Sequence, residues 1–412
     1  MLKMVDGTGI IGVDMVCPLG GTVSPPQPPN YDNIEMEGVG SLMLPNSLKA
    51  PLERAELIGN SMQGENPAPD NPQEIKSAGK WNEASRKYLL DVKVTGKNLL
   101  DKSIILPLSS YDIKDGIYWR KYFYLLPNTD YLIRVTPHYT EKLVDTSGFL
   151  GVGEPYDNNL PNGIISLIPD VGTTDKTNYF RTDATGKVIL KFKDSANEEN
   201  IRKMLEQVEI TLALKTFNNE HEPYTEQTVQ IALDEPLRGI GEYKDVLTKD
   251  GVVRKIYPPY EINLNDLRDG GYSKTNTVMF SVKVQNKTVG YASSKPSILC
   301  NILPDCALQM SNIYNNDKEC IAVGGGIVLF RVNKSRLKDI SSFEATKQSF
   351  IELMADKKMI VEYALETPVT ELLPESVQQK LQALHSENGT THVFVDSGEV
   401  PCGIKLTYRK EK

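Results

Sequence analysis

IYWRKYFYLLPNTDYLIRVTP, residues 117–137, reads as strand, turn, strand. Ile117 to Leu125 carries aromatic side chains on both faces, Pro127-Asn128-Thr129-Asp130 supplies turn chemistry, and Tyr131 to Thr136 resumes the strand. Side chains alternate along a strand, so Tyr118, Tyr122 and Tyr124 share one face with Arg120 among them, while Trp119 and Phe123 share the other. One of these faces is needed for a core. The other is either covered by protein or open to a ligand such as a sugar ring, whose C–H faces are apolar and whose hydroxyls need polar partners. Tyr118, Arg120, Tyr122 and Tyr124 are therefore the candidate ligand-binding residues.

Working outward, the same rhythm continues with GIISLI at 163–168, YFRTD at 179–183, KVILKF at 187–192 and VEITLAL at 208–214. NEENIRKMLEQ at 197–207 reads as a short helix with Asn197 as its N-cap. Short strands at regular spacing predict a β-sandwich over 97–221. A second strand-rich block at 271–368 contains NTVMFSVKV, SILCNIL, ECIAV and GIVLFRV. It then gives a helix, SSFEATKQSFIELMADKK, capped by Ser341 or Ser342, and a strand, MIVEYALETP, stopped by Pro368. The expected class is mainly β, with two β-sandwiches. Residues 52–96 are an adaptor in which LERAELIGNSMQ (52–63) forms one strand, 222–270 a β connector with a KDG hairpin at 249–251, and 369–412 a tail of one short helix and two strands. Residues 1–51 hold SPPQPPN at 24–30, which cannot be a helix or a central strand. It reads as an extended arm, either a linker or an attachment laid on a neighbouring subunit.

The 412 residues suggest two or three domains at about 150 residues each. Hydrophobic residues at 40% and charged residues at 24% exclude global disorder. Lys+Arg 46 against Asp+Glu 54 leaves −8, with no basic block, which argues against a nucleic-acid partner. No apolar run is long enough to span a membrane. The start, MLKMVDGTGIIGVDMVCPLGG, is broken by Gly9, Gly12 and Asp14 and is not read as a secretory signal, so synthesis in the cytoplasm is expected.

Catalytic patterns are missing: GxSxG, HExxH, the P-loop and GxGxxG do not occur. His138, His221, His385 and His392 lack metal-ligand spacing. The five cysteines, Cys17, Cys300, Cys306, Cys320 and Cys402, include no CxxC pair and read as small apolar residues rather than disulfides or a zinc site. EPYDNNLPNG (154–163) and YNNDKE (314–319) are oxygen-rich enough for Ca²⁺ but lack EF-hand spacing and read as solvated loops. Gly324-Gly325-Gly326 reads as a turn or bulge. No cofactor, no metal and no enzymatic activity are expected; a polysaccharide hydrolase, needing a carboxylate pair across a cleft, is the enzymatic alternative.

Several phrases together resemble the minor structural or tail-tip proteins of phages infecting Gram-positive bacteria. They are LERAELIGNSMQ with PAPDNPQEIKSAG, VTGKNLLD, LLPNTDYLIRV, ALDEPLRGIGEYKDVLTKDGVVRKI, and VEYALETPVTELLPESVQQKLQALHSENGTTHVFVDSG, in that order over about 52–400. The resemblance implies a virion tail or baseplate component with jelly-roll, carbohydrate-binding-module-like sandwiches. It also implies a homotrimer acting at the host surface on a glycan or serving a purely architectural role; the N-terminal arm, outside the phrases that carry the resemblance, is expected to dock it on other tail proteins. It supplies no catalytic residues.

Overall fold

The computed structural model describes 3–5, 31–36 and 41–43, 52–111, 113–115, 118–125, 128–151, 165–193, 195–215, 220–271, 273–290, 296–305, 313–382, 384 and 392–409. The Pro-rich run at 24–30, the loop at 154–163, Cys17, Cys306 and His385 lie outside these residues. The chain is mainly β, built from antiparallel sheets, with three α-helices among the described residues: α1 (Glu198–Glu206), α2 (Phe343–Leu353) and α3 (Glu375–Gln382). No helix among the described residues is long and apolar enough to cross a membrane.

Three buried cores organise it. The first β unit packs a five-stranded sheet (order 165–166, 148–151, 187–193, 118–124, 113–115) on a three-stranded one (176–181, 130–137, 208–214). Tyr131, Ile133, Val135, Ile210 and Leu212 from one sheet meet Val188, Leu190 and Phe192 from the other. Asn197 caps α1, its side chain accepting from Asn200 N at 3.0 Å, and Ile201, Met204 and Leu205 close the core. A second unit buries Phe280, Phe330 and Phe350 as a mutually contacting trio, Phe350 coming from α2, which Ser342 caps. The Gly325-Gly326 turn between Cys320–Gly324 and Ile327–Asn333 has both residues at positive φ, 57° and 80°, as a two-residue hairpin turn requires.

The third core draws on the segments read as adaptor, connector and tail. Leu57, Val92, Ile231, Leu247, Val252, Leu381, Val395 and Ile404 all belong to it. Part of the segment read as an N-terminal arm pairs with strands of its sheets: Tyr31–Met36 with Gly403–Arg409, and Ser41–Met43 with His392–Asp396.

Two long strands, Gly251–Glu261 and Ile360–Leu372, run from this base core into the second unit within one eight-stranded sheet. Pro368 does not stop the latter, contrary to expectation. The register shifts between the Arg254–Val369 and Ile256–Ala364 pairs leave Pro368 in a bulge where no ladder bond is asked of it, and Pro258 and Pro259 sit in a second bulge on the facing strand. LERAELIGNSMQ is not one strand either. It breaks into Leu52–Ile58 and Ser61–Gln63, because the backbone at Gly59 crosses the one at Gly239 so closely that a Cβ on Gly59 would lie 2.4 Å from Arg238 O.

A buried charge network fastens this crossing. Arg238 Nε meets Glu362 at 3.2 Å and its other branch meets Glu235 at 2.5 Å. Ser61 donates to Glu362 at 3.3 Å while accepting from Gly239 N at 3.2 Å. Burial pushes the Glu362 carboxyl up to about 7, with the Arg238 charge and the Ser61 bond opposing. The folded pKa thus exceeds the ordinary 4.5. The folded chain keeps a proton there that the unfolded chain releases, so this group makes stability fall as pH rises between about 4.5 and about 7. Urea titrations at pH 5 and pH 8 are expected to show about 2 kcal/mol less stability at pH 8 from this source, and Glu362→Gln should flatten that difference. An unchanged pH dependence in the variant would contradict the assignment.

The loop after Gln63 clamps the second unit to the base. Asp70 pairs with Arg336 at 2.7 Å, Lys357 donates to Pro69 O at 2.8 Å, and Gln73 N donates to Asn301 O at 2.6 Å.

Candidate ligand-binding face

The first β unit is an insertion. Lys87–Thr95 leads into it and Glu226–Leu233 leads out, and the two pair antiparallel from Thr95–Glu226 to Tyr88–Leu233 in the base. At the neck, Lys97 is 1% exposed in its side chain, donates to Glu220 O at 2.6 Å and lies 3.8 Å from Glu222. Asn98, also buried, donates to Ile210 O at 2.8 Å and Glu222 O at 3.1 Å, and accepts from Leu100 N at 3.2 Å and Leu212 N at 3.0 Å. The GKN phrase is thus the clasp that holds the ingoing chain, the outgoing chain and a core strand together.

The strand Tyr118–Tyr124 lies next to Lys187–Lys193 on one side and Ile113–Asp115 on the other. Its register decides which face is inside. Trp119 is opposite Phe192 and Phe123 opposite Val188, and both aromatic residues pack on the core. The outer face therefore carries Tyr118, Arg120, Tyr122 and Tyr124, opposite Lys193, Lys191, Ile189 and Lys187 respectively. Phe149, paired with Lys191 on the next strand, extends this face.

The four candidate residues are brought together but are not alike. Tyr124 projects, 68% exposed; Tyr118 and Tyr122 are half-buried; Arg120 is 5% exposed. Two ammonium groups sit on the tyrosines: Lys187 Nζ lies 3.8 Å from the Tyr122 ring centroid and Lys191 Nζ 3.8 Å from that of Tyr118. The lysines were not singled out from the sequence. The signal was present, since KVILKFK places lysines at three of the four positions on one face, with Ile189 at the fourth, but the pairing of 187–193 with 118–124 spans some seventy residues and is not readable locally.

A second aromatic pair also escaped the sequence reading. Trp81, 46% exposed, and Tyr88 stand opposite each other at the rim of the base core with ring centroids 5.0 Å apart.

Other candidates are engaged structurally. Asp317 in YNNDKE accepts from both backbone and side-chain donors of Asn276 and Thr277. Burial pushes its carboxyl up, but these bonds outweigh it and hold it below the usual range. Glu319 takes Arg336 at 2.8 Å. Cys300, Cys320 and Cys402 are buried free thiols, with Cys300 and Cys402 pushed up to about 12 by burial. His221 bonds Thr211 at 2.8 Å, and burial lowers its pKa; His138 lies 3.3 Å from Glu209. Among the described residues no group of three or more His, Cys, Asp or Glu side chains could hold a metal.

No known family, no curated protein and no solved structure matches the chain.

Proposed function

We propose that the chain is a structural component of a phage tail tip or baseplate whose first β unit, a carbohydrate-binding-module-like sandwich of the jelly-roll type, recognises a glycan on the host surface. The observation that carries this reading is the insertion of that unit at a clasped neck, with a tyrosine-rich face turned outward from its core. A base that presents a binding module suits attachment better than turnover, and the ordered phrases that resemble those of tail-tip proteins support placement in the particle. The base assembles with other tail proteins through the N-terminal segment as a homotrimer, without enzymatic activity or cofactor. Labelling of virion tails by antibody against the chain, and glycan-array binding lost in Tyr124→Ala, are the expected results. Absence from the tail would overturn the placement in the particle.

A purely architectural role is favoured by a different observation. Three of the phrases that carry the resemblance contain GNSMQ, GKN and RGIGEY, which supply the crossing and the neck rather than the tyrosine face. The intact protein binding no host wall preparation would select that role.

A further inference from the structure

We propose that the outer face of the first β unit takes an anionic glycan, a polymer carrying carboxylate or phosphate groups along its length. This rests on the glycan reading above and specifies its chemistry.

The charge of the face is opposite to that of the molecule. Four strands of the five-stranded sheet, YWRKYFY (118–124), GFLG (148–151), IS (165–166) and KVILKFK (187–193), contain no Asp or Glu, in a chain that carries −8 overall. Asp115, at the edge next to Tyr118, is the sheet's single acid among its strand residues. Lys187, Lys191 and Lys193 fall on the outer face with Arg120. Cations so spaced, with Lys187 and Lys193 at the two ends of the row, attract a negatively charged polymer.

The aromatic residues define what else the partner offers. Lys187 over Tyr122 and Lys191 over Tyr118 place each cation against a ring rather than extended into solvent. A neutral sugar stacking on those rings competes with the ammonium groups, whereas an anionic one meets ring and charge together. Lys191 and Lys193 are about 7 Å apart along the strand, and the row from Lys187 to Lys193 covers about 20 Å, the scale of several sugar units rather than one ion. The exposed Tyr124, opposite Lys187, extends the contact to the strand end. Duplex DNA is disfavoured because the rest of the acidic chain repels a stiff, densely charged rod.

Binding of the intact chain to labelled polygalacturonate, long-chain polyphosphate, dextran and duplex DNA tests this. The two polyanions separate a carboxylate-bearing from a phosphate-bearing ligand. We expect binding to at least one of them, weakened about tenfold when salt rises from about 50 to about 300 mM. We also expect a loss of about tenfold in the double variant Lys187→Glu/Lys193→Glu, whose thermal melting should stay that of the wild type. If that variant fails to fold, Lys187→Gln/Lys193→Gln should still show a graded loss. Dextran bound as well as the polyanions, insensitive to salt, would overturn the inference and leave the glycan reading standing. Equal affinity for DNA would also overturn it, as a general polyanion surface. No binding to any polymer or to host wall would overturn both.

Discussion

Asp245→Ala is expected to cost about 3–5 kcal/mol, the largest loss of any single change at the crossing between base and second unit. The carboxylate is fully buried. It accepts from Arg238 N at 3.1 Å, Lys255 N at 2.7 Å, Ile256 N at 3.2 Å and Arg254 Nη1 at 3.2 Å. Alanine removes the acceptor from three backbone N–H groups, those of Arg238 and Ile256 in buried bonds, and leaves the Arg254 guanidinium with Pro236 O at 2.6 Å, Glu235 O at 3.2 Å and Glu371 at 2.9 Å, the last half exposed. Because Gly251–Glu261 belongs to both cores, the loss should appear as a lowered urea midpoint for base and second unit together. A shift below about 1 kcal/mol would refute the role given to this carboxylate.

Asn98→Ala should cost about 3–4 kcal/mol, concentrated in the first β unit. One amide side chain satisfies two carbonyls and two N–H groups there, and all but the bond to Glu222 O are buried, where water does not readily replace the side chain. Limited proteolysis should then cut within the first unit before the base, whereas equal cleavage of both units would show that the clasp is not local. Asn98→Asp is expected to be no better, since a carboxylate would face the Ile210 and Glu222 carbonyls it cannot donate to.

Much of the β architecture was legible because alternation is a local signal. The two faces of 118–124, the caps Asn197 and Ser342, and the Gly325-Gly326 turn follow from adjacent residues. What was illegible depends on pairing. Pro368, Pro258 and Pro259 punctuate the sequence, yet bulges absorb them. Gly59 looks like any strand glycine until Arg238, far along the chain, is laid across it. Ser61 and Arg238 stand far apart in the sequence with nothing local to link them, and only folding shows them meeting at Glu362. The candidate site was half legible for the same reason: its tyrosines are contiguous, while its lysines arrive on another strand.

The long strands Gly251–Glu261 and Ile360–Leu372 bear on how the molecule answers a pull. A force drawing the second unit away from the base along their axis would be carried by two continuous backbones that are paired along their length, so no single ladder has to open for the load to be borne. The first unit hangs differently, from a pair of strands whose ends both point the same way into the neck. Tension there reaches the Thr95–Glu226 end first, so the clasp at Lys97 and Asn98 is where the junction would give.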